Sequence, residues 1–244
     1  MSSQLPTAAA PGTLRFVSAS RSSQQTFERE ALLCRSLAQV AQFSPLALHA
    51  FTDNSRPLPD LYNEVIESAD ASDTLVFVHD DVWIDDWMVA LRLQEALQNF
   101  DVIGVAGNTR RQAGQVSWNR VGENRAWDNG FLSGAIVHGQ QQGQGHFNFF
   151  GPLPQAVKLL DGVFLAARAG TLQRSAVRFD PQFAFDFYDA DFCRSCEQAG
   201  LRMGTWGIAL THASKGDMSA AFEAAYLAYL SKWGGYGVSM QLPA

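Results

Sequence analysis

Thr74-Leu-Val-Phe-Val-His-Asp-Asp-Val-Trp83 decides how this chain is read: an apolar run that stops at an acidic pair. Leu75 to Val78 are branched or aromatic without alternation, so they read as a strand buried on both faces, as in a parallel sheet. Asp80 and Asp81 then stand at the carboxyl end of a core strand, where open α/β sheets bind their ligands. Two adjacent carboxylates there call for a counter-charge, and a hard divalent cation takes carboxylate oxygens. Capping of the next helix is the other reading, because Asp is favoured at helix starts.

Toward the amino end, Leu14 to Ser18 reads as a strand, Phe27 to Val40 as an amphipathic helix and Leu46 to Phe51 as a second strand. Leu61 to Ala69 is the helix leading into the opening stretch. Trp87 to Asn99 is a further helix and Val102 to Ala106 a further strand. This alternation predicts right-handed parallel units in a three-layer α/β domain with a mostly parallel central sheet. From Asn108 to Phe150 the chain is rich in Gly, Gln, Asn and Trp around Gly139-Gln-Gln-Gln-Gly-Gln-Gly145, and reads as mobile loops with short strands. Strands over Lys158–Ala166 and Met203–Thr211 and helices over Ala169–Arg174 and Asp189–Ala199 follow. Ala220 to Trp233 carries Phe222, Tyr226, Tyr229, Leu230 and Trp233 on one helical stripe, suited to core or subunit packing or to weak contact with a membrane surface.

The 244 residues can bury a sizeable core. A net charge of −6 argues against a nucleic-acid partner, which would need a basic face. No apolar run reaches the roughly 18 residues of a membrane span. Residues 1–12 have no basic start and read as a flexible leader. Three cysteines form no closed disulfide framework, so a cytoplasmic setting is expected and Cys193-x-x-Cys196 reads as buried, inert thiols.

Three blocks carry a family resemblance. Leu61-Tyr-Asn-Glu-Val-Ile-Glu-Ser-Ala69 with Leu75 to Val82 is similar to a helix and strand leading into a D-x-D metal motif. Leu160-Asp-Gly-Val-Phe-Leu165 is similar to the strand beneath a donor sugar. Phe179-Asp-Pro-Gln-Phe183 through Phe187-Tyr-Asp-Ala-Asp-Phe-Cys-Arg194 is similar to a segment bearing a catalytic acid, followed by Ala209 to Gly216. In this order they resemble the GT-A nucleotide-sugar glycosyltransferases, family two in particular, in a short bacterial branch. The resemblance implies a GT-A domain over 13–216, with a nucleotide-binding half to 107 and an acceptor half after it, and a C-terminal helix and tail over 217–244.

It also implies the chemistry: a nucleotide-diphospho-sugar donor, a glycan or other hydroxyl acceptor, and Mn²⁺ or Mg²⁺ held by Asp81 beside Asp80. His212 matches a further metal-ligand position, with a packed strand histidine as its other reading. His79 stands where the family has the first Asp of D-x-D, and is read as a metal ligand, a ribose contact or a packing residue. Ser18, Ser20 and Arg21 after the first strand and Asp53 after the second would form the base and ribose pocket; turn chemistry is the other reading of Asp53. Asn63 would steady the diphosphate or the Asp80/Asp81 loop, or lie on the helix surface. Asp161, with Gly162, would hold donor hydroxyls. Asp189 is the candidate general base, preferred over Asp191, and in-line attack would invert the anomeric centre. Tyr188 precedes this Asp where relatives carry Glu. Trp118, Trp127, Trp206 and the Gly/Gln loop are acceptor-side candidates, and Lys215 a phosphate contact. A nucleotidyltransferase is the poorer reading, because Phe16 to Arg21 holds no Gly-rich basic loop. A non-catalytic binding protein with a degenerate site is the stronger rival.

Overall fold

The computed structural model describes residues 12–122, 124–213 and 220–234. Its seven-stranded main sheet has the spatial order Gln155–Ala156, Met203–Thr205, Val102–Gly104, Phe164–Arg168, Thr74–Val78, Leu14–Ala19, Ala47–Phe51. The last three pair in parallel, and Val102–Gly104 pairs in parallel with Met203–Thr205. Phe164–Arg168 runs antiparallel between the two groups and Gln155–Ala156 antiparallel at the edge. The sheet is therefore mixed, with most strands sharing one direction.

Thr74–Val78 is buried on both faces, as its composition requires. Leu75 and Phe77 join a core with Leu61, Tyr62 and Val65 of helix Leu58–Ser68 and Phe192 of helix Tyr188–Gln198. Val76 and Val78 join the opposite core with Leu33 and Leu37 of helix Leu32–Val40 and Leu93 of helix Val89–Asn99. Period-two alternation sends neighbouring side chains to opposite layers, and the three layers follow.

A second sheet has the order Leu159–Leu160, Ala106–Asn108, Leu132–Gln141, Leu210–His212, Val82–Ile84, with Gln144–Gly151 added on Leu132–Gln141. Each of the strands expected over Val102–Ala106, Lys158–Ala166 and Met203–Thr211 is divided between the two sheets. Both halves are buried, so hydrophobicity conceals the change of sheet. The helix expected over Phe27–Val40 is likewise two, Gln24–Glu30 and Leu32–Val40, parted by the extended Ala31. That break leaves the Leu33 N–H without an intrahelical acceptor, and it donates to the Asp80 carbonyl at 3.2 Å.

Residues 132–151 correct the expectation of mobile loops: they form a long antiparallel hairpin. Gly139 and Gly145 are close-approach positions, since a Cβ on Gly139 would meet the Gln144 carbonyl O at 1.8 Å and one on Gly145 the His138 carbonyl O at 2.1 Å. Gly143 turns the chain at φ 58°, and its N–H donates to Thr211 Oγ1 at 3.1 Å, which in turn donates to Asp85 Oδ2 at 2.7 Å.

Helix Ala220–Trp233 uses its stripe for core packing, one of the three roles considered. Phe187 packs against Phe222, Tyr226 and Tyr229 with ring centroids 5.0, 5.6 and 5.2 Å away. Cys193 and Cys196 are buried free thiols, as expected. No helix among the described residues is long and apolar enough to cross a membrane. The leader as far as residue 11, residues 214–219 with Lys215 and Gly216, and the tail beyond 234 lie outside the described residues.

Candidate active site

A cavity of about 1210 Å³ opens at the carboxyl end of Thr74–Val78, and His79, Asp80, Asp81, Asp161, Asp189 and His212 all line it. They arrive from three directions. His79 to Asp81 form the link between strand Thr74–Val78 and strand Val82–Ile84 of the second sheet. His212 ends Leu210–His212, which pairs with Val82–Ile84, and the Ala213 N–H donates to the Asp81 carbonyl at 3.0 Å. Asp161 and Asp189 come from the turn after Leu159–Leu160 and the first turn of helix Tyr188–Gln198.

His79, Asp81 and His212 each offer a ligand atom, all within 4.8 Å of one another. His212 Nε2 already lies 3.3 Å from Asp81 Oδ1, close to the ~3 Å between adjacent ligands on a cation with ~2.1 Å bonds. This donor set fits a divalent cation, and two imidazoles favour a transition ion over Mg²⁺. Burial, joined by the nearby His212, pushes His79 down to about 4, so it is a neutral ring at pH 7. Burial works against charge on His212 too, but the hydrogen bond and charge of Asp81 outweigh it and raise its pKa. Asp80 is raised by burial, partly offset by a hydrogen bond from Ser20 and reinforced by Asp81.

Asp189 accepts from the Gly162 N–H at Oδ2 (3.0 Å) and from the Ala190 N–H at Oδ1 (2.7 Å). Burial, with the neighbouring Asp161 charge, pushes its pKa up to about 7. Asp161 is itself raised by burial, and its Oδ1 accepts from the Val163 N–H at 3.1 Å. Just ahead of Asp189, Phe187 sits in the left-handed region at φ 65°. For a bulky side chain this is strained backbone, held by the packing of helix Ala220–Trp233 around its ring.

The expected nucleotide rim is assembled in part. Loops 20–23 and 52–54 are joined by the Asn54 N–H donating to the Ser20 carbonyl at 2.9 Å and the Asp53 N–H to the Ser22 carbonyl at 2.8 Å. Ser20 reaches Asp80, while Arg21 and Asp53 are exposed in these loops, Asp53 with φ 49°, and none of the three lines the cavity itself. Ser18 is corrected: it is buried inside the sheet with no partner for Oγ and does not line the cavity.

Two further candidates are displaced. Asn63 clamps the backbone of Phe179, donating to its carbonyl at 2.7 Å and accepting from its N–H at 2.9 Å, so it steadies neither a diphosphate nor the acidic loop. Asp191 is fully buried and turned to helix Ala220–Trp233, accepting from Lys232 Nζ at 2.6 Å and Trp233 Nε1 at 2.8 Å; it is no alternative base. Two residues, about 200° around the helix, separate it from Asp189, and that rotation turns the side chain out of the cavity. Trp118 and Trp127 line the cavity; Trp206 packs against Phe100 instead.

Sequence reasoning missed the hairpin's contribution. His146, Asn148 and Phe150 face the cavity while Phe147 and Phe149 are exposed. The polar residues at 146 and 148 recur at strand period, a signal hidden by the flanking glycines. Strand pairing sets His138 beside both His212 and His146, and Asn148 Nδ2 lies 2.9 Å from His138 Nδ1.

Comparisons with known proteins bear on the fold and the family. No curated protein matches the chain. Among solved structures, GalNAc-T7 with UDP, GalNAc and Mn²⁺ matches at TM-score 0.52 and 10% identity, over 93% of this chain and 49% of that one. The Drosophila β1,4-galactosyltransferase 7 catalytic domain with xylobiose matches at TM-score 0.48 and 11% identity, over 88% and 79%. S. aureus TarS 1–349 matches at 0.49 and 13%, over 95% and 75%. The likeness to GalNAc-T7 supports the GT-A fold. A family model described as a glycosyltransferase-like family matches residues 38–215, more than half of the chain, and the protein belongs to that family.

Proposed function

We propose that this chain is a Mn²⁺-dependent, inverting glycosyltransferase that moves a sugar from a nucleotide-diphospho-sugar to an acceptor hydroxyl. One observation carries the reading: His79, Asp81 and His212 come within 4.8 Å of one another in the same cavity as Asp189, whose pKa is raised to about 7. A fold relative holding UDP, GalNAc and Mn²⁺ supports the donor class and the ion.

His79, Asp81 and His212 would hold the cation. When bound, it supplies positive charge to a departing diphosphate. The chain's own residues do the rest. Asp189 carries the base role: its carboxylate takes the proton of the acceptor hydroxyl as that oxygen attacks the anomeric carbon, and the Gly162 N–H keeps Oδ2 aimed. Attack from the face opposite the nucleotide inverts the centre. Asp161 takes donor hydroxyls, and Ser20, Arg21, Asp53 and Asp80 form the nucleotide rim. Trp118 and Trp127 give a sugar ring aromatic faces on the acceptor side.

The test is release of nucleoside diphosphate from a panel of nucleotide sugars with Mn²⁺. Turnover of one donor, lost in Asp189→Asn, supports the reading. Tight, metal-dependent binding with no turnover, including donor hydrolysis, would return it to a binding protein with a degenerate site.

A further inference from the structure

His79 and Tyr188 are 109 residues apart and touch: His79 Nε2 lies 3.1 Å from Tyr188 Oη. Tyr188 is buried, and its Oη lies 2.8 Å from the Gly162 carbonyl oxygen. A phenol carries one proton and a carbonyl only accepts, so that proton goes to Gly162. The remaining contact then needs a donor on the other side, which is the Nε2–H of His79. A neutral imidazole carries a single N–H, so Nδ1 keeps its lone pair.

We infer that Tyr188 is a positioning residue that fixes His79 in the Nε2–H tautomer, so that Nδ1 is the nitrogen presented to the cation. The inference rests on the proposed role of His79, Asp81 and His212. Neighbours of metal-bound imidazoles act in this way, setting tautomer and ring orientation through the nitrogen the metal does not use. Here the neighbour has a second attachment. The Gly162 carbonyl takes the Tyr188 proton while the Gly162 N–H holds Asp189 Oδ2. A Cβ on Gly162 would lie 2.3 Å from Tyr188 Oη, so only glycine admits this arrangement. One phenol thus ties the cation ligands to the base.

The test uses the metal-free full chain. Long-range ¹H–¹⁵N spectra of the histidines, assigned with His79→Gln, report the His79 tautomer, and electron paramagnetic resonance of free Mn²⁺ reports binding without any turnover. Wild type is expected to show His79 as Nε2–H. Tyr188→Phe is expected to show a tautomer mixture and to bind Mn²⁺ about 10- to 100-fold more weakly. An Nδ1–H tautomer in wild type overturns the inference, and needs no variant to fold. Equal Mn²⁺ affinity in Tyr188→Phe and wild type overturns it while leaving the metal reading intact. Wild type that takes up no Mn²⁺ overturns both.

Discussion

The Gly162 N–H donates to Asp189 Oδ2 at 3.0 Å, and this bond joins the turn between the two sheets to the first turn of helix Tyr188–Gln198. Asp189 is therefore aimed by backbone, with no cationic side chain among the described residues to stabilise its charge, and burial pushes its carboxyl up to about 7. Asp189→Asn keeps the shape and removes the base. Transfer is expected to fall roughly 10²- to 10⁴-fold with little change in donor affinity; loss of donor binding to the same degree would assign Asp189 to binding.

The pKa of about 7 gives a pH dependence with a definite sign. The base works deprotonated, so kcat/KM rises with pH through about 7 and levels above it. Between roughly pH 4 and 7 the folded protein keeps a proton that the unfolded chain has lost, so stability falls as pH rises across that window. The Asp161 charge is the second cause of the shift, after burial. In Asp161→Asn the acidic limb should move to lower pH, and an unmoved limb would separate the two carboxylates.

Asp191 belongs to stability. Its charge is buried against Lys232, which is partly exposed, and Trp233. Lys232→Met strands that charge and is expected to cost on the order of 2–3 kcal/mol, below the ~3–5 kcal/mol of a fully buried pair. Denaturant unfolding measures this. Loss of activity at undiminished stability would place Asp191 in the chemistry after all.

The hairpin tip is latched through Thr211, which accepts from Gly143 and donates to Asp85. Thr211→Val keeps the β-branched shape and removes both bonds. Amide exchange over 139–146 should quicken while the core strand Thr74–Val78 stays protected. Unchanged exchange at the tip would show that pairing with Leu132–Gln141 holds it alone.

How much of this was legible in the sequence follows from what each residue is fixed by. Asp80 and Asp81 are legible from local pattern because they end a buried strand, whereas His212, Asp161 and Asp189 are picked out by the family resemblance and not by periodicity. The division of three apolar runs between two sheets was invisible, since both halves are equally buried. Glycines in 139–145 read as flexibility, whereas they admit a neighbouring backbone, a fact of tertiary contact. Asn63 and Asp191 were misplaced for a related reason. Periodicity locates a residue on its element, but the partners that claim its polar atoms, Phe179 for one and Lys232 for the other, come from distant sequence.

The cation group is the centre of the account, and thermal shift with UDP, GDP, dTDP, CDP and ADP, each with and without Mn²⁺, tests it most directly. A ligand that binds only the folded state must raise the melting temperature. The account predicts a rise for one nucleotide that needs Mn²⁺, is smaller with Mg²⁺, and disappears in Asp81→Ala. No shift with any nucleotide at millimolar concentration, or the same metal-dependent shift in Asp81→Ala as in wild type, would contradict it.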